Sequence, residues 1–260
     1  PDTLRECGMK GVKAAQIITS GFAEEIGEDG ARQQAKIREI AEEFDMAICG
    51  PNSEGFANTQ AALCPTFSPA VDENDEPLMP DYRKNGHISA IAQSGGVGFS
   101  FFDRGRPKEL PFNYILTTGN EAALEELDFV DHLLDTGETD IFLLFMEDIK
   151  TPEKLATVGE KALRAGKPII VTKVGRSDAG QRAAASHTAA LAGSYTGYQA
   201  MFQRYGIIEG DDIEEMVDIA SGFSHWSHLL PAGKRIGITT GSGGAGGLMA
   251  DTAALAGLEV

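Results

Sequence analysis

His187 is the residue of this sequence best suited to covalent chemistry. It stands in Arg182-Ala-Ala-Ala-Ser-His-Thr-Ala-Ala-Leu-Ala-Gly193, where nearly every neighbour is small. A neutral imidazole is a competent nucleophile toward phosphorus near pH 7, and a sheath of Ala, Ser and Gly lets a phosphate approach without collision. An Ala-rich helix carrying a solvent-facing histidine would read the same way. The surroundings have to separate the two.

Two glycine turns bear on that choice. Ile88-Ser-Ala-Ile-Ala-Gln-Ser-Gly-Gly-Val-Gly98 aligns with Ile236-Gly-Ile-Thr-Thr-Gly-Ser-Gly-Gly-Ala-Gly246 as an internal repeat. In each copy an apolar strand pattern runs through Ser-Gly-Gly-x-Gly into a helix pattern, which points backbone N–H groups and a helix N-terminus at one place. Ser94, Gly95, Gly96, Ser242, Gly243 and Gly244 are therefore candidate phosphate-holding residues. A tight strand-to-helix connection would also need glycine, so a single copy says little. Two copies in a chain that also displays His187 suggest a phosphate held from two sides.

Glu147 follows the apolar run Ile141-Phe-Leu-Leu-Phe-Met146. A carboxylate at the carboxyl edge of a parallel sheet is where such sheets bind ligands. There it could accept a hydrogen bond from one ring nitrogen of His187 and leave the other free to attack; the alternative is an ordinary solvated strand-end acid. Asn52 and Ser53 lie in the turn Gly50-Pro-Asn-Ser-Glu-Gly55, and Asn120 in Gly119-Asn-Glu121. Turns of this composition at a sheet edge expose backbone and amide groups to a ligand, or simply reverse the chain. His225 and His228 have an i, i+3 spacing but no acidic or cysteine partner at metal-binding distance in sequence, so no metal site is expected.

The elements that must position these residues alternate between strand and helix. Ala14–Thr19, a charged helix from about 30 to 44, and Met46–Cys49 form a first βαβ rhythm. A Pro- and acid-rich stretch, 64–86, then reads as a connection. Strands are expected at His87–Ala92, Tyr114–Thr117, Ile141–Phe145 and Pro168–Thr172, and a last unit at Ile236–Thr239 with a helix over Gly246–Ala256. The expected domains are 1–80, 81–230 and the start of another over 231–260. The fold class is α/β, with tandem parallel-sheet domains of Rossmann and flavodoxin-like type. A start at Pro1 and an end where a strand should begin suggest a piece of a longer polypeptide, truncated at both ends.

With 42% hydrophobic residues the chain can build real cores, and its longest apolar run is too short to span a bilayer. A net charge of −17 repels nucleic acid and acidic lipid, so any phosphate must be held by local devices. Three cysteines without CxxC spacing suit reduced thiols, and the protein is expected to be soluble and cytoplasmic.

Together these segments resemble the ADP-forming acyl-CoA synthetases, relatives of succinyl-CoA synthetase, over almost the whole chain. Gly50–Gly55 is similar to the family's Gly-Pro-Asn-Cys-x-Gly turn, with Ser53 in place of Cys. Ala92–Gly98 resembles its Ser-Gln-Ser-Gly turn, and Gly119–Glu121 the element that follows. Lys173-Val-Gly-Arg-Ser-Asp-Ala-Gly180, leading to Ala185–Gly193, resembles its phosphohistidine segment, with Ala189 replacing the usual Gly. The resemblance implies that His187 is transiently phosphorylated, that Glu147 stabilises the phosphohistidine, and that the two Ser-Gly-Gly turns hold the phosphate. It further implies a CoA and substrate site that includes Asn52, Ser53 and Asn120. CoA, a small carboxylic acid, phosphate and ATP/ADP are the implied reactants, and Mg2+ would travel with the nucleotide on an ATP-grasp domain or subunit absent from this chain. An oligomeric enzyme is expected. Two alternatives are a non-catalytic acyl-CoA- or nucleotide-binding regulatory module, and an NAD- or FMN-binding protein. No ribose-binding acid or flavin clamp can be assigned for the latter.

Overall fold

A computed structural model describes residues 1–71, 85–177, 179–180, 195–226 and 229–260. The chain divides into two units, Pro1–Ser224 and His225–Val260. His187 lies outside the described residues, as does most of the Pro- and acid-rich connection.

The first unit opens with helix α1 (Asp2–Met9), strand β1 (Ala14–Gln16), helix α2 (Glu28–Phe44) and strand β2 (Ala47–Cys49). β1 and β2 pair in parallel. Glu28 and Asp29 occupy the first turn of α2, where carboxylates complement the helix dipole. Ile37, Met46, Ile48 and Ala122 form a small core under these elements.

The chain then enters a six-stranded sheet, whose strands are β3 (Phe56–Asn58), β4 (Ile88–Ala92), β5 (Phe112–Thr117), β6 (Ile141–Met146), β7 (Ile169–Lys173) and β8 (Ile208–Glu209). The spatial order is β3-β5-β4-β6-β7-β8, and all neighbours are parallel except the β3–β5 pair. Each expected strand of this sheet is present within a residue or two of its expected bounds. β3 and β8 were not expected, and β3 joins the sheet well before residue 80.

Helices α3 (Gly95–Gly105), α4 (Glu126–Thr136), α5 (Pro152–Ala165), α6 (Tyr195–Tyr205) and α7 (Ile213–Trp226) cover the sheet on both faces. Phe99, Phe101 and Phe102 of α3 pack with Met216 and Val217 of α7 in one core. Leu127, Val130 and Leu133 of α4 pack with Leu155 and Val158 of α5 and Phe202 of α6 in the other. That double cover explains why β4 and β7 are buried along their whole length and why such strands read as continuous apolar runs.

The order of connections reverses between β4 and β6: the chain leaves β4 toward β5 on one side and returns to β6 on the other. Such a switch point opens a crevice at the carboxyl ends of the two strands, the usual ligand position of open parallel sheets. Gln93 and Ser94 follow β4 there, and Glu147 follows β6.

The Gly50–Gly55 turn is tied to the carboxyl end of β5. The Ser53 hydroxyl donates to the Thr117 carbonyl at 2.6 Å and lies 2.9 Å from the Thr117 hydroxyl, while the Gly55 N–H donates to Ser53 at 2.9 Å. Gly119, at φ +58, lets the turn come this close, because a Cβ there would fall 2.2 Å from the Pro51 carbonyl oxygen.

In the second unit, helix α8 (Gly243–Leu255) forms as expected, starting three residues early. The expected strand Ile236–Thr239 does not form: Arg235 and Glu259 make a single parallel bridge. A strand exists only against a neighbour, and among the described residues this unit supplies no more than that bridge.

Replacing Gly119 by Ala combines a left-handed backbone with backbone overlap, so it should cost about 2–4 kcal/mol. Gly96→Ala, whose Cβ would meet nothing closer than Glu54 Oε2 at 4.0 Å, serves as the control. Urea denaturation should show a lowered midpoint for Gly119→Ala alone. Equal midpoints would remove Gly119 from its role in docking the turn.

Candidate active site

Gln93 joins the two strands of the switch point. Its Oε1 accepts the N–H groups of Glu147 at 2.5 Å and Asp148 at 2.9 Å. Its Nε2 donates to the Asp148 carbonyl at 2.7 Å and to Glu121 Oε2 at 2.9 Å. One amide thus fixes the backbone that carries Glu147 and also grips a carboxylate from the β5–α4 loop.

Glu147 is 9% exposed, so it is not the solvated strand-end acid that its sequence also allowed. It lines a small cleft of about 110 Å³ together with Asn52, Gln93, Asn120, Glu121 and Lys150. Asn52 and Asn120, from distant parts of the sequence, meet here, the Asn52 Nδ2 donating to Asn120 Oδ1 at 3.2 Å. Asn120 in turn donates to Gln34 at 3.0 Å and to Glu24. Burial pushes the Glu24 carboxyl up, but hydrogen bonds from Asn120 and the Gly21 and Phe22 amides outweigh it and hold the group below its ordinary value. Ser53 does not line this cleft; it is buried beneath the turn, also accepting from Gln16 Nε2 at 2.7 Å.

Around Glu147 the structure concentrates charge. Glu121 is 2% exposed and accepts hydrogen bonds from the Thr118 hydroxyl at 2.9 Å and the Glu126 N–H at 2.6 Å. Burial raises its pKa to about 7, against the opposing charge of Lys150. Lys150 donates to the carbonyls of Asn120 and, at 2.7 Å, Glu121. Lys173, at the end of β7, donates to the carbonyls of Glu147 and Val174, each at 2.6 Å. Burial lowers the pKa of both lysines. None of Gln93, Glu121, Lys150 and Lys173 stood out in sequence as a site residue, although Gln93 sits inside the motif Gln-Ser-Gly-Gly.

Ser94 precedes α3 without capping it by its side chain. Glu54 lies against the turn, since a Cβ on Gly95 would fall 2.6 Å from Glu54 Cβ and 2.8 Å from its Oε2. At Gly243 and Gly244 an added Cβ would meet nothing. Ser242 caps its own helix, accepting the Ala245 N–H at 3.4 Å. A larger hollow of about 550 Å³ adjoins β7 and is lined by Lys173, Arg176, Ser177 and Gly180 of the segment that leads toward His187. Arg176 is engaged there by the Lys173 carbonyl at 3.0 Å, Thr172 at 2.8 Å and Asp211 at 2.7 Å.

A doubly wound sheet with a crevice and a buried acid at its switch point defines a flavodoxin-like α/β domain. The family model described as "Succinyl-CoA ligase like flavodoxin domain" matches residues 85–223, and the chain belongs to that family. It is 38% identical over 258 residues to the ADP-forming acetate–CoA ligase II subunit alpha of Pyrococcus furiosus, covering 99% of this chain and 53% of that subunit. It is 35% identical to the ADP-forming acetate–CoA ligase I of Archaeoglobus fulgidus, covering 96% of this chain and 34% of that protein. Among solved structures, the dinucleotide-forming acetyl-coenzyme A synthetase 1 of Ca. Korarchaeum cryptofilum, in complex with phosphate and ADP, superposes with a TM-score of 0.85 at 31% identity. That match covers all of this chain and 53% of that one. The chain thus spans about half, or less, of the proteins it resembles.

Stability should carry the signature of Glu121. Between its unfolded value of 4.5 and its folded value of about 7, the folded state holds a proton that the unfolded state has released. Stability therefore falls as pH rises through this window, by up to about 1.4 kcal/mol per pH unit from this group. Denaturant midpoints at pH 5 and pH 7 should differ less in Glu121→Gln than in wild type. An unchanged difference would mean that Glu121 is already ionised at pH 5.

Proposed function

We propose that this chain is the acyl-CoA- and phosphate-handling part of an ADP-forming acyl-CoA synthetase, which makes acyl-CoA from a small carboxylic acid, CoA and ATP. The observation that carries this reading is Glu147 buried at the switch point of a sheet whose family and relatives belong to CoA ligases. Acyl-CoA and phosphate exchange with acyl phosphate and CoA; the acyl phosphate passes its phosphoryl group to His187 and leaves as the carboxylate; and phosphorylated His187 passes the group to ADP. Run in the synthetic direction, these steps consume ATP and release ADP and phosphate.

Each residue has a part in that scheme. His187 is the phosphoryl carrier, and Glu147 accepts a hydrogen bond from its second ring nitrogen, which fixes the tautomer and steadies the charged ring. The N–H groups of Gly95 and Gly96 behind Ser94 hold the phosphoryl oxygens, and Ser242, Gly243 and Gly244 form a second anion-holding turn. Asn52 and Asn120 bind the CoA or acyl group in the cleft, while Ser53 keeps the turn that carries Asn52 in place. The domains are a CoA-binding Rossmann-like block over 1–80, whose strand β3 adds an edge to the next sheet, the flavodoxin-like ligase domain over 81–230, and the start of another over 231–260.

The nucleotide and its Mg2+ belong to an ATP-grasp domain or partner subunit within an oligomeric enzyme. Support comes from the share of the relatives left unmatched and from the name of one of them as a subunit. The enzyme is cytoplasmic, in keeping with three cysteines that form no disulfide; among the described residues no helix is long and apolar enough to cross a membrane. With its charge of −17 it has no nucleic-acid role.

Incubating the full-length protein with acyl-CoA and labelled phosphate, or with labelled ATP and its ATP-grasp partner, should place an acid-labile, base-stable label on His187. His187→Ala should carry none, and Glu147→Gln should lower the label on the order of 100-fold with little change in melting temperature. Label on another residue, or undiminished label in His187→Ala, contradicts the assignment.

A further inference from the structure

Beneath the cleft lies a carboxyl group that the scheme above does not use. Glu126 is the first residue of α4, directly after the N-cap Glu125, whose side chain and that of Asp128 close a capping box. Its sequence position suggests no more than a carboxylate complementing a helix N-terminus. Instead it is 2% exposed, and among the described residues neither of its carboxyl oxygens has a hydrogen-bond partner. An ionised carboxylate in that condition forfeits its hydration with nothing in exchange, a cost of several kcal/mol that the group avoids by keeping its proton.

The neighbours act in the same direction. Burial opposes a charge on Glu126 most, and Glu121, which accepts the Glu126 N–H at 2.6 Å, and Glu147 add to it; among the described residues Lys173 favours the charge. Lys173 offers no hydrogen bond, since its ammonium is committed to the Glu147 and Val174 carbonyls and lies 4.7 Å from the centre of the Tyr198 ring. Asp148 and Lys150 complete the charged surroundings of this group through Lys173 and Glu121. The molecule thus keeps an unpaired acid beside the two carboxylates of its site, where an amide or an apolar residue would be cheaper.

We propose that Glu126 is a further positioning residue of the phosphoryl-transfer site, its carboxyl group setting the charge that Glu147 and an arriving phosphoryl group meet from the core side. With its proton on, Glu126 leaves Glu147 as the dominant anion facing His187. When the proton leaves as pH rises, a further buried negative charge joins those of Glu147 and ionised Glu121 and repels the phosphate or acyl phosphate. Phosphorylation of His187 falls as a consequence. No bond is made or broken at Glu126; it only holds or loses a proton.

This inference rests on the proposed role of His187 and Glu147, and the test separates the two. In the full-length protein, the rate of His187 labelling from acyl-CoA and labelled phosphate is followed from pH 6 to pH 10, and the infrared C=O stretch of protonated carboxylic acids is recorded over the same range. Wild type should lose labelling on the alkaline side and show a protonated-acid band at neutral pH. Glu126→Gln keeps the shape but cannot ionise, so its alkaline fall should begin at higher pH and leave it labelling faster than wild type at the upper end. Its band should be diminished. If Glu126→Gln does not fold, Glu126→Asp should move the band and the alkaline fall together. Label on His187 with an unmoved pH profile, or a band indifferent to both substitutions, overturns the role of Glu126 alone. Wild-type protein without label on His187 overturns the phosphohistidine reading and the positioning role with it.

Discussion

The Gln93 amide is the interaction on which the arrangement of the site depends. A doubly wound sheet opens at its switch point because the chain leaves in opposite directions from β4 and β6. Backbone groups at that opening have lost their ladder partners and need others. Gln93 supplies them with one side chain: its oxygen accepts the N–H groups of Glu147 and Asp148, and its nitrogen donates to the Asp148 carbonyl and to Glu121. The crevice stays open as a result, and its two acids are held at fixed positions. A shorter side chain would leave four polar contacts unmade in a place where water has little access.

The charges around this clamp do not pay for themselves in stability. Glu121, Glu126 and Glu147 stand close to Lys150 and Lys173, and burial works against the charged form of both lysines and of Glu121 and Glu126. Buried ionic groups of this kind are often less stabilising than apolar residues of the same volume. Their gathering at one end of one sheet, while the two main cores are apolar, supports the proposal that the site lies at that end. Glu54 adds a partly buried carboxylate against the glycine turn that the proposal gives to phosphate.

Much of the sheet could be read from the sequence because its strands are buried on both faces. Ile88–Ala92 and Ile141–Met146 need apolar or small side chains at every position, which leaves an unbroken run. β3 and β8 left no such trace: three and two residues long, they are defined by their partners rather than by their own pattern. Ile236–Thr239 shows the reverse, a strand pattern that remains unpaired among the described residues. Of the residues that line the cleft, Glu147, Asn52 and Asn120 were legible because strand ends and turns of known composition point to a sheet edge. Gln93, Glu121, Glu126, Lys150 and Lys173 were not, since each is polar and unremarkable until burial is known. Ser53 was read as a contact for ligand; it is buried and hydrogen-bonded to Gln16, Thr117 and Gly55 beneath the turn.

The central claim is that the Glu147 carboxylate, held by the Gln93 clamp, is the partner of the His187 imidazole when that residue carries phosphate. A crystal structure of the full-length protein phosphorylated on His187, grown with acyl-CoA or phosphate present, tests it most directly. The account predicts the ring nitrogen of His187 that bears no phosphate within about 2.7–2.9 Å of a Glu147 carboxylate oxygen, with the phosphoryl oxygens facing the Gly95 and Gly96 amides. A phosphorylated ring paired with a different acid, with Glu147 turned away in the cleft, would contradict it.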